Sequence, residues 1–274
     1  MKVLLVALLL CTSSILLFAQ TDSLHEQPKK GIVYRIKTDG ILTIKTIAQT
    51  YSRPFHWKKK EWLLFSGAIG VSAASTLLDE PLYDYTKNNK TPFLNDLASV
   101  GDFLGQPENN YPFMIALWGS GVIANNDWLR DTGIMLFASV TTSGLIQTAS
   151  KELVGRARPA TDVGPYAFKP FGGVGYHSFP SGHTMLSVAT SWILARQINW
   201  IPGKVVFFTL PVIVGGSRIY DGAHWFSDIV LGSALGIACA EAVVKIYPKL
   251  KESALNQRLS IVPTPSGFSL SYKL

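Results

Sequence analysis

One histidine stands where a helix is expected to begin, in the stretch Pro180-Ser181-Gly182-His183. Proline ends the preceding segment, serine is a favoured N-cap, and the apolar residues that follow recur at helical spacing. The first N–H groups of a helix have no partner within it, and with the positive end of the helix dipole they bind anions. Gly182 would let an oxyanion approach, and His183 could give it a proton. A capped core helix with an incidental histidine explains this stretch alone equally well.

A second histidine, His224, follows Arg218 by six residues and precedes Asp228 by four. A spacing of four places His224 and Asp228 on one helix face. The carboxylate could then accept the proton of one ring nitrogen and leave the other nitrogen as a nucleophile or base. A surface ion pair at the start of a helix explains the pair alone equally well.

Two further cations share a helix face, because Lys151 precedes Arg158 by seven residues, or nearly two turns. Alone, they favour a basic helix end that complements its dipole. Together with Arg218 and the amides of Ser181 to His183, they would bind three phosphate oxygens and stabilise a five-coordinate transition state. His224 and His183 would then attack the phosphorus and protonate the leaving oxygen from opposite sides. No residues have metal-ligand spacing, so we expect no cofactor, and we expect vanadate to inhibit as a transition-state mimic.

The composition favours either a very apolar helical core or a membrane. Hydrophobic residues make up 47% of the 274 residues and charged residues 16%, and the mean hydropathy is +0.22. The net charge of +7 is scattered along the chain. It favours anionic partners such as phosphates or lipid headgroups, and no basic arm or patch suggests nucleic acid.

Residues 1–20 predict a secretory signal, with Lys2 before an apolar run and Ala19 at the expected cleavage site. An uncleaved anchor is the alternative. Of the two cysteines, Cys11 lies in this segment and only Cys239 lies outside it, so no disulfide is expected. We therefore expect export to a bacterial cell envelope, most simply the periplasm.

The apolar pattern predicts an all-α domain of six helices over residues 61–250. A polar, basic segment precedes it at residues 21–60, with a hairpin signal at Asp39-Gly40 or, equally, an amphipathic helix from Ile41 to Ile47. Residues 79–110 read as a loop-rich stretch with a short helix around Phe93 to Leu104. Alternation in the tail, residues 251–274, predicts a small β-hairpin. The helices run over residues 62–78, 112–124, 133–153, 184–195, 205–216 and 229–246.

The hydropathy slightly favours a membrane-embedded bundle over a soluble one. If the helices span and alternate, Lys151, His183 and His224 share one side, and most other basic residues share the opposite side, as positive-inside topology requires. A cleaved signal conflicts with this topology, because it places residues 20–60 outside while the topology requires Lys58 inside.

The three stretches resemble the signature of the type 2 phosphatidic acid phosphatase superfamily, over roughly residues 62–247. They read Lys151-x6-Arg158-Pro159, Pro180-Ser181-Gly182-His183 and Ser217-Arg218-x5-His224-x3-Asp228. The resemblance implies a helical bundle in which His224 is the nucleophile, forms a phosphohistidine and is oriented by Asp228. It implies that His183 is the general acid. The implied phosphate-binding residues are Lys151, Arg158, Ser181, Gly182 and Arg218.

We therefore expect a phosphatase that hydrolyses a phosphate monoester or pyrophosphate at the periplasmic face of a membrane. The expected substrate is a lipid of the phosphatidate, isoprenyl pyrophosphate or lipid A type. A soluble periplasmic acid phosphatase of broad specificity is the alternative, followed by a vanadium-dependent haloperoxidase. A non-enzymatic protein is disfavoured because every signature position is filled. The loops at residues 79–110 and 166–176 are expected to shape the mouth of the site.

Overall fold

Nine α-helices and one β-hairpin make up the part of the chain that the computed structural model describes, residues 31–256, 259–264 and 267–272. The predicted signal at residues 1–20 lies outside these residues. The helices are α1 (Ile32–Ser52), α2 (Lys59–Ser75), α3 (Asp79–Asn88), α4 (Pro92–Gly105), α5 (Pro107–Ala124), α6 (Asp127–Val154), α7 (Gly182–Gln197), α8 (Ile201–Tyr220) and α9 (Phe226–Asn256).

Helix α7 is the centre of the bundle and packs against α6, α8 and α9. It is buried on nearly all sides, which is why its sequence is apolar or small around the whole helix. Leu136 and Val140 of α6, Ile193 of α7 and Val243 of α9 meet in one apolar cluster. Burial of each such side chain stabilises the fold by about 1.5–3 kcal/mol. The all-α bundle is therefore confirmed.

The hairpin expected at Asp39-Gly40 is wrong, because both residues lie inside α1. Asp39 is buried, and its carboxylate accepts hydrogen bonds from Trp118 Nε1 at 2.9 Å and from Arg130 Nη2 at 2.6 Å. This pairing with α5 and α6 satisfies a residue that otherwise favours turns. The alternative helix over Ile41 to Ile47 is correct. The loop-rich stretch likewise contains α3 in addition to the expected short helix, which corresponds to α4.

The predicted tail hairpin is present as β1 (Leu259–Thr264) and β2 (Gly267–Tyr272). The strands are antiparallel, with Leu259 opposite Tyr272 and Thr264 opposite Gly267.

Two described stretches, Lys59–Asn88 and Phe226–Ala254, are long and apolar enough to cross a membrane by length and composition. In the first, α2 buries only Ser72 and exposes large apolar side chains such as Leu63 and Leu64. Exposed apolar residues also cover much of α8, including Ile201, Val205 and Val212. Such a surface is unusual for a protein surrounded by water on all sides.

Candidate active site

The predicted site residues meet at one end of the bundle, where α6 and α8 end and α7 and α9 begin. Gly155 ends α6 in a left-handed conformation, with φ of 60°. An added Cβ there would lie 2.0 Å from the Lys169 carbonyl oxygen, so only glycine fits. Residues 155–178 then fold back on themselves through hydrogen bonds from the Ala157 amide to the Ala167 oxygen and from the Ser178 amide to the Arg156 oxygen. Arg158 lies in this folded segment, so the expectation that Lys151 and Arg158 share a helix face is wrong, because α6 ends at Val154.

His224 is buried in the turn between α8 and α9, and its Nδ1 lies 2.5 Å from the backbone oxygen of Ser178. A carbonyl oxygen only accepts hydrogen bonds, so Nδ1 is assigned the proton and Nε2 keeps its lone pair. Burial lowers the pKa of His224; the nearby Asp228 carboxylate opposes this change, and the positive charges of Lys151 and Arg158 add to it. The neutral ring required of a nucleophile is therefore favoured.

Asp228 supports His224 less directly than the spacing suggested. Its Oδ2 lies 3.8 Å from His224 Nδ1, beyond hydrogen-bonding distance. The same oxygen accepts hydrogen bonds from Ser178 Oγ at 2.5 Å and from the Trp225 amide at 2.8 Å. Asp228 thus holds Trp225, which follows His224 in the chain, and Ser178. The Ser178 carbonyl oxygen in turn accepts the proton of His224 Nδ1.

Arg156 and Asp79 are functional-site residues that the sequence reasoning missed. Arg156 donates to Asp228 Oδ1 at 2.6 Å and to Asp79 Oδ2 at 2.7 Å, and all three side chains are buried. Asp79 also accepts from the amide and hydroxyl of Ser227. Arg156 could have been found because it lies two residues before Arg158 in the sequence. No motif near Asp79 in the sequence indicates a role for that residue.

The start of α7 differs in detail from the expected anion site. Ser181 does not cap the helix with its side chain, because its hydroxyl lies 2.9 Å from Thr184 Oγ1. Its amide donates to the Asp228 backbone oxygen, so this N–H group is already used. The amides of Gly182 and His183 donate no hydrogen bond to any described residue. An added Cβ at Gly182 would lie 2.2 Å from Gln147 Oε1, so packing as well as anion access requires glycine.

The three cations of the signature are not equivalent. Arg218 is buried and paired with two carboxylates, Asp102 Oδ1 at 2.7 Å and Asp221 Oδ2 at 2.9 Å. Within the described part of the chain, by contrast, no carboxylate lies within 4.0 Å of Lys151 or Arg158. Burial lowers the pKa of Arg158, and the nearby charge of Arg218 lowers it further. An anion placed here would meet two unpaired positive charges.

His183 lies in the first turn of α7 and shares a carboxylate with Arg218. Its Nε2 is 3.4 Å from Asp102 Oδ1, the oxygen that Arg218 also contacts. Burial, followed by the charge of Arg218, lowers the pKa of His183 to about 4, while Asp102 opposes the change. Asp102 is on α4 and belongs to no motif, so the sequence reasoning missed it.

No group of three or more His, Cys, Asp or Glu residues that could hold a metal ion occurs among the described residues. The expectation of a metal-independent site stays a prediction.

Comparisons with known proteins point to one family. Residues 132–252 match the family model described as PAP2 superfamily. Lipid A 1-phosphatase of Rhizobium etli is 36% identical over 107 residues, which are 38% of this chain and 45% of that protein. Phosphatidylglycerophosphatase B of Bacillus subtilis is 24% identical over 199 residues, which are 69% of this chain and 93% of that protein.

Among solved structures, the crystal structure of Aquifex aeolicus LpxE has the same fold. It superimposes with a TM-score of 0.51 and 21% identity, and the match covers 61% of this chain and 95% of that one. The chain spans less than half the length of the Rhizobium relative. The matched region contains all three signature stretches, from Lys151 to Asp228. Residues 132–252 of this chain are therefore similar to the PAP2 superfamily across all three signature stretches.

Proposed function

We propose that this chain is a membrane phosphatase that removes a phosphate group from a phosphorylated lipid, with the site on the periplasmic face. One observation carries the proposal: Lys151 and Arg158 are close enough to affect the pKa of His224, and neither has a carboxylate partner among the described residues. A dianionic phosphate group would supply the negative charge that Lys151 and Arg158 lack. The free amides at the start of α7 would bind its remaining oxygens.

The proposed reaction is a double displacement at phosphorus. His224 Nε2 attacks, the N–P bond forms, and the bond from phosphorus to the lipid oxygen breaks. His183 gives its proton to that oxygen. A water molecule then loses a proton to His183 and attacks the phosphohistidine, which releases inorganic phosphate and restores His224.

His183 must be protonated before the first step, although its pKa in the free site is low. A bound phosphate dianion would oppose the charge of Arg218 and favour the imidazolium, so we propose that substrate binding is accompanied by proton uptake.

Three observations support a lipid substrate. Two relatives are named lipid A 1-phosphatase and phosphatidylglycerophosphatase B. Two described stretches meet the length and hydropathy of membrane spans. The described surfaces of α2 and α8 also expose large apolar side chains, such as Leu63, Leu64 and Val205.

A soluble periplasmic acid phosphatase remains the second candidate, because α6, α7 and α8 do not meet the criterion for a membrane span. Fractionation separates the two candidates. Release of the protein by osmotic shock without detergent would contradict the membrane phosphatase and support the soluble one.

The function is tested by phosphate release from phosphatidate, an isoprenyl pyrophosphate, lipid A and a water-soluble monoester, using detergent-purified protein. We expect turnover of at least one lipid and inhibition by vanadate. The His224→Ala variant should lose activity by about 10³-fold or more while keeping its helical circular dichroism spectrum. Near-normal turnover by that variant would show that His224 is not the nucleophile.

A further inference from the structure

The folded segment that carries Arg158 also presents four large apolar side chains to the outside, Tyr166, Phe168, Phe171 and Val174. Their exposed fractions are 65%, 54%, 72% and 74%. We call these four residues the apolar rim. They lie beside the site rather than within it, and the proposed reaction uses none of them.

Phe171 is held in an unfavourable backbone conformation, with φ of 57°. This left-handed region is rare for bulky side chains, and such outliers collect at functional surfaces. The conformation is fixed by hydrogen bonds from the Phe171 amide to the Glu152 oxygen and from the Gly172 amide to the Lys169 oxygen, both 2.9 Å. Packing does not explain it, because the ring is mostly exposed.

The apolar rim continues into the exposed face of a candidate membrane span. Tyr166 and Phe168 line a cavity of about 180 Å³ together with Ile69 and Ala73 of α2. Almost all of the cavity's surface is apolar. The rim therefore lies where the apolar surface of α2 ends, and an exposed lysine, Lys169, stands between its residues.

We propose that the apolar rim seats in the interfacial layer of a lipid bilayer and brings the phosphate site level with the lipid headgroups. Aromatic side chains favour this layer, and lysine complements anionic lipid there. The rim is rigidly joined to the site, because the Lys169 amide donates to the Gly155 oxygen and the Arg158 amide to the Gly175 oxygen. This inference rests on the proposed function for its lipid substrate, but the position of the rim can be measured without any activity.

The position is tested with a spin label at residue 171. The full chain carries Phe171→Cys in a background of Cys11→Ala and Cys239→Ala, and is reconstituted in nanodiscs of phosphatidylethanolamine and phosphatidylglycerol. Asp162→Cys, in the same segment, is the matched control, because Asp162 is an exposed polar residue. We expect the label at 171 to collide more often with oxygen than with a water-soluble nickel chelate, and the label at 162 to show the reverse.

Two outcomes would overturn the proposal. If the label at 171 meets the nickel chelate as freely as the label at 162, the rim faces water. If the label at 171 is shielded from both reagents, a protein surface covers the rim.

A second variant, Phe171→Asn, tests the consequence for turnover. Asparagine tolerates the left-handed conformation, so the melting temperature should stay equal or rise. We expect the ratio of phosphate release from vesicle-borne lipid to release from a soluble monoester to fall about tenfold. Phe55→Asn, which removes another exposed ring from the turn after α1, should leave the ratio unchanged. An unchanged ratio in Phe171→Asn would contradict the role of the rim; a wild-type chain with no activity toward any phosphate ester would instead contradict the proposed function.

Discussion

At the scale of single residues, the two histidines of the site have opposite requirements. In the proposed reaction His224 must be neutral to attack, and its Nδ1 proton is fixed by the backbone oxygen of Ser178. His183 must be charged to act as an acid in that reaction, yet burial and the charge of Arg218 lower its pKa. Asp102 is the carboxylate that partly offsets this effect. We therefore expect Asp102 to affect proton donation by His183 as well as phosphate binding.

We predict that Asp102→Asn lowers kcat by about tenfold or more, with a smaller effect on KM. Asp102 raises the pKa of His183, so its loss lowers that pKa, and the basic limb of the kcat profile should move to lower pH. Asp96→Asn on the same helix is the control, because Asp96 is exposed. A profile that keeps its basic limb in Asp102→Asn would show that Asp102 does not act on His183.

A second pH prediction concerns the nucleophile. The charge of Lys151 lowers the pKa of His224, so Lys151→Met should raise it and move the acidic limb of kcat/KM to higher pH. Because each variant and the wild type are assayed with the same substrate, ionisation of the substrate affects both pH profiles equally. Lys87→Met, which removes an exposed lysine paired with Asp162, should leave the limb in place. An acidic limb that stays or moves to lower pH in Lys151→Met would contradict the placement of Lys151 beside His224.

At the scale of elements, the buried Arg156 joins three parts of the fold. It links the folded segment after α6 to Asp79 at the start of α3 and to Asp228 at the start of α9. Loss of one member of such a network leaves buried charges without partners, which costs far more than the loss of a surface pair.

Arg156→Met is expected to destabilise the fold by about 3–5 kcal/mol. The exposed pair between Arg53 and Glu61 supplies the control, since Arg53→Met should cost about 1 kcal/mol or less. Adding Asp79→Asn to Arg156→Met should restore part of the loss. The measurement is the melting temperature in detergent, and equal shifts for the two arginine variants would contradict the role of the network.

The sequence predicted the helices and the signature residues, but few of their contacts. Apolar segments of helical length were sufficient to predict α2 and α5 to α9, although α7 is apolar or small around the whole helix and shows little periodicity. Asp39 in α1 looked like a turn residue since its partner, Arg130, is 91 residues away. Asp79 and Asp102 were missed for the same reason. The spacing of His224 and Asp228 correctly placed them together, but could not show that a backbone oxygen takes the ring proton.

At the scale of the whole molecule, charged groups lie at both ends of α6. Arg130 pairs with Asp39 near its start, and Lys151 belongs to the site near its end. The 20 residues between them extend about 30 Å, which matches the hydrocarbon thickness of a bilayer. The polar residues between these ends, such as Thr132, Ser139 and Thr142, are buried inside the bundle. This explains how α6 could cross a bilayer despite its modest hydropathy.

We predict that the two ends of the bundle face opposite sides of the membrane. Lys37→Cys near the start of α1 and Asp162→Cys beside the site, each in the background without native cysteines, should differ in their reaction with a membrane-impermeant maleimide in intact cells. One label should react only after the cells are opened. Reaction of both cysteines before lysis would contradict a bundle that spans the membrane.

The pairing of Asp39 with Arg130 shows that the described chain begins at the end of the bundle opposite the site. Residue 31 is on the far side of the bundle from His224, so the polypeptide makes an odd number of net crossings between them. A leader that is exported and cut by a signal peptidase would leave residue 31 outside the cell membrane, and the catalytic histidines would then work in the cytoplasm. A catalytic site in the periplasm requires residue 31 to stay in the cytoplasm. In a membrane-spanning bundle, leader cleavage and a periplasmic site thus become mutually exclusive, and the maleimide experiment shows which of them holds.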